Sequence, residues 1–127
     1  NDLNDKNLNL KIIEMTGDKE LNNFILLNLN KYRDKQGEQI KIRVNTNYSK
    51  SVVSRDTKGS ITNYQLIASA IFTIENNNKN QTINMNKDFI MKNISDSYEK
   101  KNYEKTIKKN LSNSIANELI LRLTSIK

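Results

Sequence analysis

A chain of 127 residues with 35% apolar content and a formal charge of +7 has room for one core of ordinary size and little apolar surface to spare. It contains no Cys, His, Trp or Pro, so a zinc site is close to excluded, the Ser-His or Cys-His nucleophile pairs cannot be assembled within it, and the commonest general base near neutral pH is missing. Three glycines are too few for a Rossmann or P-loop phosphate cradle, and no apolar run reaches the roughly 18–20 residues of a bilayer-crossing helix.

The polar excess is mostly Asn: 22 residues, beside 17 Lys and only 4 Arg. Such a bias reads as compositional drift, so a single Asn or Lys carries little meaning by itself. The charge is nonetheless physical. It attracts nucleic acid, anionic headgroups or an acidic partner, and its plainest reading is a solvated basic surface.

Residues 1–7 read as a loose lead-in to one domain spanning 8–127. Leu8, Leu10 and Ile12 alternate as a short first strand. Thr16-Gly17-Asp18 reads as a turn with Asp18 as N-cap of a helix that runs to about Tyr32. Leu21, Phe24, Ile25, Leu29 and Tyr32 share one side of that helix, whereas Leu26 and Leu27 point away. Gly37 closes the segment.

A second strand is expected over 38–49, with Ile40, Ile42, Val44, Thr46 and Tyr48 on one face. The polar turn Arg55-Asp56-Thr57-Lys58-Gly59-Ser60 follows, then a third strand over 61–75 in which Tyr64, Leu66, Ala68, Ala70, Phe72 and Ile74 alternate. The run 76–80 is a turn by composition. A fourth strand over 81–94 places Ile83, Met85, Phe89 and Met91 on one face, and Lys87 interrupts it. A bulge near Asn86-Lys87-Asp88, or a break in the strand, accounts for that interruption. Ser95-Asp96-Ser97 leads into a last helix whose residues Tyr103, Ile107, Leu111, Ile115, Leu119 and Leu123 recur every four positions, broadened by Ala116, Ile120 and Ile126. Steps of four drift about 40° around a helix, and a winding stripe suits a twisted sheet. The expected fold is α+β: a two-layer sandwich of a four-stranded, mostly antiparallel sheet with two helices on one face, in the order β-α-β-β-β-α.

No catalytic constellation emerges. Asp88, Asp96, Glu99 and Glu104 are interleaved with Lys and read as solvated ion pairs rather than as the paired acids of a glycosidase. Tyr48, Tyr64 and Phe72 fall on the face the helices cover, which makes them core rather than a base-stacking platform. Basic residues crowd the start of the last helix (Lys100, Lys101, Lys105, Lys108, Lys109), and Arg55 and Lys58 sit in the turn between strands two and three. Such clusters hold phosphates. Ile67 and Ile71 face away from the covered side of strand three. With Leu26 and Leu27 they form two apolar doublets outside the core, which suits a partner surface.

The element order, the turn 55–60, the spacing Gly59-x-x-x-x-Tyr64 and the segment Ile115-Ala116-Asn117-Glu118-Leu119 near the end of the last helix resemble the LPS-assembly lipoprotein LptE family over residues 8–124. The resemblance implies a non-catalytic plug and partner of the LptD β-barrel, on the periplasmic side of a Gram-negative outer membrane, that assists delivery of lipopolysaccharide to the cell surface. It implies a lipid anchor on a Cys that lies outside this chain. It also implies that phosphorylated lipid A is met by basic residues matching Arg55 and Lys100, with Lys58 and Lys101 as neighbours able to substitute. No cofactor, metal or nucleic acid is expected under this reading. The rival readings are a basic nucleic-acid-binding α+β domain, favoured by charge alone, and a structural module without a ligand.

Overall fold

The computed structural model of the chain describes residues 8–125; the expected lead-in at 1–7 and the contribution of Ile126 lie outside them. The order is β1 (Leu10–Gly17), α1 (Lys19–Leu29, continued by a 3-10 turn Asn30–Tyr32), β2 (Ile40–Arg55), β3 (Ile61–Asn76), β4 (Lys79–Lys92) and α2 (Ser97–Ser125). The strands form one sheet in the order β1-β2-β3-β4. β1 runs parallel to β2 because a helix connects them, and the remaining neighbours are antiparallel hairpins. The α+β sandwich expected from the sequence is therefore the fold.

Period-2 alternation carries the inner face. Ile42, Val44 and Thr46 of β2, Leu66, Ala68, Ala70, Phe72 and Ile74 of β3, and Ile83, Met85 and Met91 of β4 are buried. They meet Leu21, Ile25 and Leu29 of α1 and Ile107, Leu111, Ile115, Leu119 and Leu123 of α2 in one core. The winding stripe of α2 is thus the helix's contact surface. Residues of the opposite sheet face, such as Arg43, Asn45, Ile71 and Glu75, remain exposed.

Local chemistry sets the ends. The Asp18 side chain accepts from the Leu21 N–H at the start of α1, and Asp96 Oδ1 accepts from the N–H groups of Tyr98 (2.9 Å) and Glu99 (3.1 Å) at the start of α2. The β3–β4 turn is tighter than its composition suggests. Asn77 and Asn78 both take positive φ (52° and 65°), the two-residue loop that matches strand twist, so β3 reaches residue 76 and β4 begins at 79.

Two expectations are corrected. β2 does not stop at 49 but continues to Arg55, with register shifts on either side of Ser54. Both of its faces are exposed there, so no polar contrast marks the continuation. An irregularity also occurs in β1, between Ile12 and Glu14. Neither the bulge nor the break expected near Lys87 occurs: β4 is continuous, and β3 and β4 pair without a shift from Asn63↔Lys92 to Asn76↔Lys79. Lys87 keeps its place on the inner face opposite Ala68, and its ammonium reaches Glu118 of α2 at 2.6 Å. A lysine stem lies along apolar surface while its head leaves it.

Candidate anion and partner surfaces

The turn between β2 and β3 is built by Asp56. Its Oδ1 accepts from the N–H groups of Lys58 and Ser60, both at 2.9 Å, and Gly59 turns at φ +86°. Arg55 donates from its guanidinium to the Gly59 carbonyl at 2.8 Å, so it lies along its own turn, with no second side-chain partner among the described residues. The connection from β4 to α2 is tied beside this hairpin. The Asn93 N–H donates to the Thr62 carbonyl (2.8 Å) and its Nδ2 to the Ile61 carbonyl (2.9 Å). The start of α2 and the hairpin turn therefore stand at the same end of the sheet, as antiparallel strand order demands.

At that end Lys100 places its ammonium 5.6 Å from the Tyr64 ring centroid. Lys50 stands over the same ring at 4.5 Å and pairs with Glu104 Oε1 at 2.8 Å. Glu104 Oε2 accepts from the Tyr48 hydroxyl at 2.6 Å. Lys108 stands 4.1 Å from the Tyr48 ring centroid and bridges Asp18 (3.2 Å) and Glu20 (2.9 Å) of the α1 start. Polar contacts thus fasten the first turns of α2 to the sheet and to α1.

The titrations follow from this network. Burial, reinforced by the Glu104 hydrogen bond, pushes the Tyr48 phenol well above its ordinary value. For Glu104, burial works against the charged form, but hydrogen bonds from Lys50 and Tyr48 outweigh it and hold the carboxyl below its ordinary value. Glu104 was expected to be a solvated ion-pair member and is instead a partly buried junction. Tyr48 and Tyr64 were expected as plain core; they pack against it while their rings carry cations.

Of the four basic residues singled out, Arg55, Lys58 and Lys100 share one end of the domain. Among the described residues no hydrogen bond, ion pair or ring contact joins Arg55 to Lys100. Lys101 borders a different, open groove with Glu20, Glu104, Lys105 and Lys108, where carboxylates already supply negative charge. Lys50 was missed. It occupies the next inner-face position after Tyr48, and extending the alternation of β2 by one step finds it.

Ile67 and Ile71 lie on the open sheet face, Ile71 46% exposed. Ile90, 50% exposed, belongs with them, being two residues beyond Asp88, which pairs with Ile67. Leu27 is 67% exposed and Leu26 half-buried in α1, in the helix layer. The two doublets are on opposite sides of the sandwich, so a partner touching both must surround it.

No protein-family profile matches the chain, and no curated protein matches it by sequence. Solved structures do match. Rare lipoprotein B from Shewanella oneidensis superposes with a TM-score of 0.66 at 17% identity, over 90% of this chain and 91% of that one. A lipoprotein from Caulobacter crescentus gives 0.65 at 12% identity, over 91% and 88%. Lipoprotein B from Nitrosomonas europaea gives 0.60 at 10% identity, over 92% and 85%. The fold is one found in bacterial lipoproteins. The likeness spans about nine-tenths of each of the first two pairs of chains.

Proposed function

We propose that this chain is the folded domain of an outer-membrane assembly lipoprotein of the LptE kind. It acts without catalysis on the periplasmic side of the outer membrane, held there by a lipid anchor in the full-length protein. It serves as plug and partner of an LptD-like β-barrel in delivery of lipopolysaccharide to the cell surface. The observation that carries this reading is the end-to-end likeness of fold to bacterial lipoproteins. Two features of the surface support it. Apolar residues project from both layers (Ile71 and Ile90 from the sheet, Leu27 from α1), as they do on a domain enclosed by its partner. Arg55 and Lys100 share an end of the domain, where a planar fork and a mobile ammonium suit the phosphates of lipid A.

Co-expression of the full-length protein with the LptD-type barrel of its own organism tests the reading. A stoichiometric complex is expected, weakened by Ile67→Lys with Ile71→Lys while the melting temperature stays near wild type. Failure of the folded wild-type protein to hold the barrel, or salt-sensitive binding of RNA or DNA in its place, would turn the reading toward the nucleic-acid alternative.

A further inference from the structure

β4 is the open edge of the sheet. Among the described residues it has a neighbour on one side only, so backbone donors and acceptors along a 14-residue strand face outward. The opposite edge is shorter and partly taken: β1 has eight residues, and Arg33 bridges to Leu10.

The sequence of β4 is complementary to itself. Around a two-fold axis at Asn86, two antiparallel copies place Ile83 opposite Phe89, Thr82 opposite Ile90 and Gln81 opposite Met91, each pair on one face and each occurring twice. Phe89 and Ile90, 41% and 50% exposed, would be covered by that pairing. Lys87 spoils it. In the same register it falls opposite Met85 of the second copy, on the inner face. Both Lys87–Glu118 pairs, whose side chains are now 30% and 29% exposed, would be stripped of water. Desolvation of an ion pair outweighs its attraction unless new hydrogen bonds complete it, and the facing Met85 supplies none. An inward-pointing charge in mid-strand is a known device against edge pairing.

The geometry points to β4 as a latent dimerisation edge for a second copy of this chain, kept closed by Lys87 in its pair with Glu118. The inference is independent of the barrel reading, because it concerns only the isolated domain.

Sedimentation equilibrium of the 127-residue chain across a concentration series tests it. The wild type sediments as a monomer. Lys87→Met dimerises, with self-affinity raised on the order of 10–100-fold. Adding Asn86→Asp to Lys87→Met sets two carboxylates face to face on the axis and restores the monomer. Lys87→Gln, uncharged but still able to donate to Glu118, dimerises as well and carries the test if Lys87→Met does not fold. A folded variant lacking the Lys87 charge that stays monomeric overturns the proposal. So does a dimer that Asn86→Asp leaves intact, and so does a wild-type chain that dimerises with Lys87 in place.

Discussion

Gly17 shows how one residue joins two elements. It ends β1 at φ +99°, and a Cβ there would stand 1.9 Å from the Thr46 carbonyl oxygen. The close approach lets the Asp18 N–H reach Thr46 Oγ1 at 3.0 Å, while Thr46 donates to Asn22 Oδ1 at 2.7 Å. Asn22 Nδ2 in turn donates to the Thr16 carbonyl at 3.1 Å. Gly17→Ala is expected to destabilise by about 2 kcal/mol or more, read as a lower midpoint in urea unfolding; an unchanged midpoint would remove the turn from this role. Glu104 governs a pH dependence. Its carboxyl is held below the ordinary value, so its contribution is present above the usual carboxylate range and is lost as pH falls through its lowered value. Wild-type melting temperature should therefore fall more steeply on acidification than that of Glu104→Gln, and parallel curves would contradict the assignment. The turn at Thr16-Gly17-Asp18 and its N-cap were readable from local pattern; the contact with Thr46 and the Glu104 junction were not. Glu104 finds its partners 54 and 56 residues away, and only the folded sheet brings them under α2.

At the scale of elements, legibility followed contrast. β3 was read almost to the residue because its inner side chains are apolar and its outer ones mostly polar. α2 was read for the same reason at period four. β2 lost its signal after Tyr48, where both faces meet water. Lys87 was misread because a lysine in an apolar register looks like an interruption until its distant partner Glu118 is known. Phe72 is fully buried at the centre of β3, paired with Val44 on one side and Ile83 on the other. Phe72→Ala should cost roughly 3–5 kcal/mol by loss of burial and cavity formation. A loss below about 1 kcal/mol in chemical denaturation would mean that the core collapses around the site.

For the whole molecule, the sandwich carries its charged and apolar surface features in separate places. One end gathers Arg55, Lys58 and Lys100; the open sheet face and the helix layer carry separate apolar residues; the β4 edge is guarded by a charge. Which of the many lysines matter was only partly legible, since their excess hides any local signal: Lys100 stands on Tyr64 with Lys50, whereas Lys101 borders carboxylates. Reversing both Arg55 and Lys100 to Glu should reduce lipopolysaccharide binding while shifting the melting temperature little, because Arg55 is exposed and Lys100 only partly covered, and charges in contact with water contribute little to stability. Equal binding by wild type and variant in a titration with purified lipopolysaccharide would mark the two residues as ordinary surface charges. The proposed role in delivery is tested most directly by depleting the full-length protein in its own cells and following newly made lipopolysaccharide. Surface-exposed lipopolysaccharide should fall while the newly made lipid accumulates on the periplasmic side, with recovery when the wild-type protein is restored. Normal surface lipopolysaccharide after complete depletion would contradict the account.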